Sequence, residues 1–234
     1  MNSQKYAVIS GGTKGIGRAI VEALLNKGFH VATCSRSLED LETLKKEIDS
    51  DDRLMIFPAD FGNTSAVNAF AAKINSEWPH VDVLVNNTGQ FIPGSVLDEP
   101  AGRLETMFQV NVLSAYYLTR ALAGSLIKAK KGYIFNMCSV ASKFAYPNGG
   151  SYSISKFALL GFSKVLREEL KERNIAVCSI LPGATWSDSW KDVELPEDRL
   201  MQASDIAQIL LAQLEMSPSA VIEEIVLRPQ LGDL

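Results

Sequence analysis

The sequence predicts an α/β fold in which helices cover both faces of a doubly wound parallel sheet. Short apolar segments alternate with longer amphipathic ones along the 234 residues. Most of the short segments are continuous runs of Val, Ile, Leu and Phe, which is typical of parallel strands buried on both faces. A regular strand–helix alternation favours right-handed crossovers and therefore a doubly wound sheet.

Each element follows from the local pattern. The predicted strands are 6–10, 31–35, 54–59, 83–86, 133–138, 176–181 and 222–227. The predicted helices lie near 16–27, 38–49, 64–76, 102–129, 152–172 and 204–215. The segment 183–203 lacks periodicity and is predicted to be a long loop, which suggests a substrate lid. Without repeats or linkers, one domain over 1–234 is the simplest organisation.

Composition excludes several functional classes. The chain is 47% hydrophobic and has a net charge of −4, so it lacks the basic excess of a general nucleic-acid binder. No apolar run reaches the roughly 20 residues of a membrane helix, and the first run is too short for a signal peptide. Cys34, Cys138 and Cys178 lie in strand-like runs without a CxxC pair. They predict buried reduced thiols and a cytoplasmic location. No metal cluster is predicted.

A glycine loop follows the first predicted strand. Its sequence is Gly11-Gly12-Thr13-Lys14-Gly15-Ile16-Gly17, and a predicted helix comes next. Glycines here let backbone N–H groups approach a pyrophosphate at the positive end of a helix. A plain structural turn is the alternative interpretation. The position between a strand and a helix at the start of the chain favours a dinucleotide site.

The next two strand ends favour NADP over NAD. An NAD site usually has an acid after the second strand, whereas this chain has Ser35-Arg36. A cation at Lys14, in the first helical turn, is unfavourable unless an anion compensates it. Arg36 and Lys14 are therefore predicted to hold a 2′-phosphate, with two solvated surface cations as the alternative. Asp60 either contacts the adenine amino group or caps the helix before Thr64.

Tyr152 and Lys156 are four residues apart in a helical pattern, so they share one face. Ser139 follows a buried strand, at the edge where a parallel sheet places its ligand crevice. The Lys156 ammonium is expected to lower the pKa of Tyr152 from its usual value near 10. Tyr152 could then transfer a proton near neutral pH, while Ser139 hydrogen-bonds a substrate carbonyl oxygen. Lys156 could also hold the nicotinamide ribose.

Six motifs occur along nearly the whole chain: Gly11-x-x-x-Gly15-x-Gly17, Asn86-Asn87-Thr88-Gly89, Asn111, Ser139, Tyr152-x-x-x-Lys156 and Pro182-Gly183. In this order they resemble the classical short-chain dehydrogenase/reductase family. The resemblance implies a Rossmann-type three-layer fold with a seven-stranded parallel sheet. It also implies a catalytic tetrad of Asn111, Ser139, Tyr152 and Lys156, with Asn111 holding a water that links Lys156 to solvent. Thr88 departs from the usual alanine, and Ser187 stands where a threonine usually meets the carboxamide.

The loop, the charges and the resemblance together give a candidate site for NADP(H). Its residues are Gly11, Thr13, Lys14, Gly15, Ile16, Gly17, Ser35, Arg36, Asp60, Phe61, Asn87, Thr88, Gly89, Tyr152, Lys156, Pro182, Gly183 and Ser187. The segment 221–234 and the residues after Gly183 resemble bacterial sepiapterin reductase-like members, which does not establish a pterin substrate.

The leading hypothesis is an NADPH-dependent reductase of small ketones or aldehydes, including pterin-like compounds and diketones. A 3-oxoacyl-carrier-protein reductase is the alternative, disfavoured by the net acidic segment 183–203. A non-catalytic NADP-sensing regulator is a further hypothesis. Such a protein is expected to have lost part of the tetrad, whereas this sequence keeps all four residues. Aromatic residues in cleft-bordering segments suit a planar substrate or ordinary packing; they are Phe91, Phe144, Tyr146, Trp186 and Trp190.

Two long helical patterns, 102–129 and 152–172, carry more apolar residues than one core-facing stripe needs. In the family that this chain resembles, the corresponding helices pack against their copies across a two-fold axis. We therefore expect a homodimer, or a homotetramer built from such dimers. The alternative is that these residues pack under neighbouring loops.

Overall fold

A parallel sheet forms the centre of the molecule. Within residues 4–48, 52–187, 190 and 193–233, which the computed structural model describes, seven strands pair in parallel. They are β1 (Tyr6–Ser10), β2 (His30–Ser35), β3 (Leu54–Pro58), β4 (Val83–Asn86), β5 (Gly132–Met137), β6 (Ile175–Pro182) and β7 (Glu224–Leu227). Their order is β3-β2-β1-β4-β5-β6-β7. The predicted fold class is confirmed, and the strand bounds agree with the prediction to within two residues.

Helices flank the sheet on both faces. They are α1 (Gly15–Asn26), α2 (Leu38–Glu47), α3 (Thr64–Glu77), α4 (Arg103–Phe108), α5 (Ser114–Lys128), α6 (Gly150–Leu170) and α7 (Ala203–Glu215). The predicted helix 102–129 is divided by a π-helical turn, Gln109–Leu113. The predicted end of the second helix, at 49, lies outside the described residues. Within the described part of the chain, no helix is long and apolar enough to cross a membrane.

Two hydrophobic layers bind the helices to the sheet. On one face α1 and α7 pack together, and Ile20, Leu24 and Leu210 are fully buried there. On the other face α3 packs on α5, and Phe70 and Leu118 are fully buried. The three cysteines are buried thiols, and burial raises the pKa of Cys34 and Cys178 to about 12.

All seven strands end at the same edge of the sheet, because all of them are parallel. The strand order reverses between β1 and β4, since β2 and β3 lie on one side and β5 to β7 on the other. A parallel sheet binds its ligand in the crevice at such a switch point. The glycine loop follows β1, Asn87 follows β4 and Ser139 follows β5, so the topology gathers the predicted site at this edge.

Candidate functional site

A cleft of about 1090 Å³ lies at this edge of the sheet. Many of the predicted site residues form its wall: Ile16, Asn87, Gly89, Ser139, Tyr152, Lys156, Pro182, Gly183 and Ser187. Residues that were not predicted also contribute, among them Gln90, Arg228 and Asp233. The cleft therefore joins the predicted catalytic residues to part of the predicted cofactor site.

The glycine loop has a conformation that requires glycine. Gly11 and Gly15 have φ angles of 71° and 51°, in the left-handed region. A Cβ atom on Gly17 would lie 2.0 Å from the carbonyl oxygen of Gly11. Thr13 is partly buried within the same loop. The loop thus turns tightly at the N-terminus of α1, where backbone N–H groups favour an anion, so the residues present fit a dinucleotide pyrophosphate.

Ser10 and Asn87 clamp the glycine loop to the end of β4. The Asn87 side-chain amide donates to the carbonyl oxygens of Ser10 and Gly11, at 3.1 and 2.9 Å. The Ser10 hydroxyl accepts from the backbone N–H groups of Asn87 and Thr88, at 3.0 and 2.9 Å. Ser10 was not predicted as a site residue, because a serine that ends a strand carries no distinctive pattern.

The two predicted phosphate-binding cations have different surroundings. Arg36 is exposed after β2. Lys14 occupies the N-cap position of α1 rather than its first turn, and its ammonium lies 3.2 Å from the carboxylate of Asp40 in α2. An anion does compensate Lys14 in this structure, and it is the carboxylate of Asp40, a residue that was not predicted to be part of the site.

The residues that follow β3 separate the two interpretations of Asp60. The Asn63 side chain caps α3 by accepting from the backbone N–H of Ser65, so the prediction that Asp60 might be this cap is wrong. Asp60 is exposed and accepts from the backbone N–H of Gly62 at 2.9 Å. The Phe61 ring is buried beside Phe70, so only its backbone can face a cofactor.

Tyr152, Ser139 and Lys156 meet in the cleft. The Tyr152 and Ser139 side chains line the same part of the molecule, and Ser139 acts to lower the pKa of the Tyr152 phenol. The Lys156 ammonium lies 5.7 Å from the centre of the Tyr152 ring and donates to the carbonyl oxygen of Met137 at 2.8 Å. Helix α6 carries Tyr152 and Lys156 one turn apart, and Ser139 begins the turn after β5.

The electrostatics of this cluster differ from the expectation. Burial raises the pKa of Tyr152, and the hydrogen bond with Ser139 opposes this only in part. Burial lowers the pKa of Lys156 to about 8. The predicted lowering of the Tyr152 pKa is therefore wrong, because desolvation is the largest influence on this phenol and raises its pKa. Tyr152 stays protonated at neutral pH, as a proton donor must.

Asn111 lies in the π-helical turn between α4 and α5. Its side chain accepts from the backbone N–H of Gln90 at 2.7 Å and donates to the Gln90 carbonyl at 3.0 Å. It also donates to the Ser155 hydroxyl in α6, at 2.9 Å. The Asn111 side chain therefore ties the loop after β4 to the helix that carries Lys156.

Six described residues of the segment 183–203 line the cleft: Gly183, Ala184, Thr185, Ser187, Trp190 and Val193. Thr185 and Met201 form an isolated parallel bridge at its base. A Cβ atom on Gly15 would lie 3.6 Å from the Cβ of Ser187, so this segment reaches the glycine loop. The segment 183–203 was predicted to be net acidic from its charged residues. Three of these, at positions 188, 191 and 192, lie outside the described residues.

The C-terminal tail holds this segment in place, which the sequence reasoning missed. Asp233 accepts from the backbone N–H of Ala184 at 2.9 Å and pairs with Arg228 at 2.7 Å. The Arg199 guanidinium donates to the carbonyl oxygen of Gly232 at 2.9 Å. Both ends of the segment are thus attached to the tail.

Four of the five predicted aromatic residues line the cleft: Phe91, Phe144, Tyr146 and Trp190. The Phe91 ring packs edge-on against Tyr152, with ring centres 4.9 Å apart. Trp186 instead anchors its own segment, because its indole N–H donates to the carbonyl oxygen of Glu197 at 2.8 Å.

Comparisons with known proteins agree with this geometry. The family model of the short chain dehydrogenases matches residues 5–198. Nodulation protein G of Rhizobium sp. (strain N33) is 34% identical over 179 residues, 76% of this chain and 72% of that protein. Sepiapterin reductase of Chlorobaculum tepidum is 29% identical over 236 residues, 97% of each chain. A metagenomic short-chain oxidoreductase in complex with NADP is 28% identical, with a TM-score of 0.83 over 97% of each chain.

The fold and the site define an α/β oxidoreductase that interconverts CH–OH and C=O groups. The chain belongs to the short-chain dehydrogenase family. The resemblance inferred from the motif order is therefore confirmed.

Proposed function

We propose that this protein is an NADPH-dependent reductase of small ketones or aldehydes, in which Tyr152 is the general acid. One observation carries the proposal. The side chains of Tyr152, Ser139 and Lys156 line the same cleft, beside the glycine loop, and Ser139 acts on the pKa of the Tyr152 phenol. A protonated phenol and a second hydroxyl on one wall suit a carbonyl oxygen that gains a proton.

The proposed cofactor is NADP(H), held by the residues predicted above. The glycine loop would hold the pyrophosphate, and Arg36 and Lys14 the 2′-phosphate. Pro182, Gly183 and Ser187 would border the nicotinamide. The NADP complex of the metagenomic relative supports this choice. When bound, NADPH supplies a hydride to the carbonyl carbon.

The protein's own residues supply the proton and the orientation. Tyr152 donates its hydroxyl proton to the carbonyl oxygen, so the carbonyl becomes an alcohol and Tyr152 becomes a phenolate. Ser139 holds the oxygen by a hydrogen bond, and the Lys156 ammonium stabilises the phenolate that forms. Asn111 is proposed to hold a water that links Lys156 to solvent, and Lys156 also to bind the nicotinamide ribose.

The substrate class is proposed from the wall of the cleft. Phe91, Phe144, Tyr146 and Trp190 line the same cleft as Tyr152, and the Phe91 ring packs against it. A small planar carbonyl compound, such as a pterin-like molecule or a diketone, suits such walls. The similarity to a sepiapterin reductase over 97% of each chain supports this class.

We also propose that residues 1–234 form one NADP-binding domain with a substrate lid near 183–203. The buried thiols favour a cytoplasmic location of the protein.

The protein is proposed to be a homodimer or a homotetramer. An apolar stripe on α6 supports the assembly, because Ile154, Phe157, Gly161 and Val165 are exposed at helical spacing. The partner is proposed to be a second copy packed on this stripe.

A turnover screen with NADPH tests the function. Pterins, diketones, quinones and acyl thioesters are offered, and NADPH oxidation is followed by absorbance. With the best substrate, Tyr152→Phe is expected to lower kcat by about 10²- to 10⁴-fold, because it removes the general acid. NADPH binding, measured by calorimetry, should persist.

Tyr117→Phe is the matched control, because it removes a phenol hydroxyl from α5, outside the cleft wall. Near-normal turnover in Tyr152→Phe would overturn the proposed role of Tyr152. Best turnover with an acyl thioester would favour the carrier-protein reductase instead.

A further inference from the structure

Helix α6 starts without a cap from its own N-cap residue. The N-cap is Gly149, which has no side chain to accept from the N–H groups of the first turn. Those N–H groups need acceptors from elsewhere. Tyr152 is the third residue of this helix, so any fraying of the first turn would move its phenol.

Glu99 supplies the missing acceptor from a distant loop. Its carboxylate accepts from the backbone N–H of Ser151 at 3.0 Å, 52 residues further along the chain. The Ser151 hydroxyl donates to the second carboxylate oxygen. A negative charge at the N-terminus of a helix is favourable. The hydrogen bonds from Ser151 and the charge of Arg103 lower the pKa of Glu99, so the carboxylate is ionised at neutral pH.

Two glycines make room for this contact. A Cβ atom on Gly94 would lie 2.6 Å from the Glu99 side chain, and one on Gly150 would lie 2.3 Å from it. The backbone N–H of Gly94 also donates to the carbonyl oxygen of Asn148 at 3.0 Å. The loop and the start of α6 are therefore fitted to each other around the Glu99 carboxylate.

The segment 87–102, which contains Glu99, also forms part of the cleft wall. Phe91 packs against the Tyr152 ring, and Gln90 is bonded to Asn111. A single contact between Glu99 and Ser151 thus links the residue before Tyr152 to the loop that carries the aromatic ring packed on Tyr152.

We infer that Glu99 is a positioning residue for the reaction, which acts through Ser151 to fix Tyr152 against Ser139 and to hold Phe91 against the Tyr152 ring. This inference rests on the proposed function of Tyr152. Glu99 does not line the cleft and contacts Ser151 at the start of α6, so its effect should fall on turnover rather than on cofactor binding.

Glu99→Gln tests the inference, because it keeps the shape and removes the charge and one acceptor. Asp98→Asn is the matched control, since it makes the same change at an exposed neighbour in the same loop. We measure kcat, the KM for the carbonyl substrate, the Kd for NADPH and hydrogen exchange of the α6 amides. Ser151→Ala removes the hydroxyl partner and serves as a second variant if Glu99→Gln does not fold.

In Glu99→Gln we expect kcat to fall about tenfold and the Kd for NADPH to stay within twofold. Exchange at the first turn of α6 should rise at least severalfold, while Asp98→Asn resembles the wild type. Ser151→Ala should show the same pattern with a smaller loss. Glu99→Gln or Ser151→Ala with the kcat and exchange of Asp98→Asn would overturn the inference.

The two proposals fail in different ways. If the wild-type protein reduced no carbonyl compound, the proposed function would fail, and the inferred catalytic role of Glu99 would fall with it. The exchange measurement would then still decide whether Glu99 holds the start of α6. If the wild-type protein is active and Tyr152→Phe is not, the proposed function stands. The Glu99→Gln and Ser151→Ala results then decide the inference by themselves.

Discussion

The ammonium of Lys14 lies 3.2 Å from the carboxylate of Asp40, so the glycine loop and the start of α2 are joined by an ion pair. Both side chains are partly exposed to solvent, which makes the pair weak and exchangeable. A 2′-phosphate near Lys14 would compete with Asp40 for the same cation. If Lys14 holds that phosphate as proposed, we expect the affinity for NADPH to depend on Asp40 as well as on Lys14 and Arg36.

Asp40→Asn should raise the preference for NADPH over NADH by about two- to fivefold. The change removes a negative charge near the proposed 2′-phosphate, and an exposed ion pair is worth roughly 0.2–1 kcal/mol. The ratio of kcat/KM for the two cofactors measures this preference. Glu39→Gln makes the same charge change one residue earlier and is the control. An equal shift in both variants would argue against a specific role for Asp40.

Arg36→Ala should lower kcat/KM for NADPH about tenfold and leave the value for NADH nearly unchanged. A hydrogen bond to a charged group contributes roughly 1.5–3 kcal/mol, and the lower end applies at this exposed position. Arg173→Ala is the control, because it removes an exposed arginine before β6, at the opposite edge of the sheet. It should leave both values unchanged. A wild-type preference for NADH would refute the choice of cofactor.

The rate of carbonyl reduction should be constant near neutral pH and fall as the pH rises through about 8. Burial raises the pKa of Tyr152, so its proton is present below and around neutral pH. Burial lowers the pKa of Lys156 to about 8, so its positive charge is lost as the pH rises through that value.

Alcohol oxidation with NADP should instead increase with pH, because it needs the Tyr152 phenolate. Profiles of kcat in both directions measure the two trends. Identical profiles in the two directions would contradict these assignments.

Gly17→Ala should destabilise the protein by about 1–3 kcal/mol and weaken NADPH binding. The added Cβ would overlap the carbonyl oxygen of Gly11 and push the glycine loop out of shape. Gly124→Ala in α5 is the control, because a Cβ there meets no atom within 4 Å. Alanine is the better helix former, so this control should be stabilised by up to about 1 kcal/mol. Urea unfolding measures both changes, and an unaffected Gly17→Ala would contradict the tight turn.

Val165→Glu should convert the proposed dimer into a monomer and lower activity. It places a charge in the exposed α6 stripe, and the same helix carries Tyr152 and Lys156. Light scattering at micromolar concentration should give at least twice 25.6 kDa for the wild type and about that mass for the variant. Leu38→Glu, at an exposed apolar residue of α2, is the control. A wild-type mass near one chain would reject the assembly.

Local patterns in the sequence were sufficient to predict the strands and the core of the candidate site. Continuous apolar runs predict buried parallel strands, because both faces of each strand must leave water. The spacing of Tyr152 and Lys156 predicts a shared helical face, because the α-helix places residues i and i+4 on one side. Parallel strands then bring Ser139 to the same edge of the sheet, which the structure confirms.

Contacts between distant segments were decided only by the tertiary structure. Three contacts join residues that are far apart in the sequence, so no local pattern could predict them. They are Lys14 with Asp40, Glu99 with Ser151 and Ala184 with Asp233. The π-helical turn at Asn111 interrupts a helix whose apolar pattern continues through it, and Asn111 bonds there to Gln90 and Ser155.

The pKa of Tyr152 shows the same division between sequence and structure. The sequence by itself determined that a lysine lies one helical turn from the phenol, and an ammonium at that position favours the phenolate. The tertiary structure decided how much water the phenol retains, and desolvation raises its pKa. Helical spacing follows from the local backbone geometry of any α-helix, whereas burial depends on which distant segments pack against a residue.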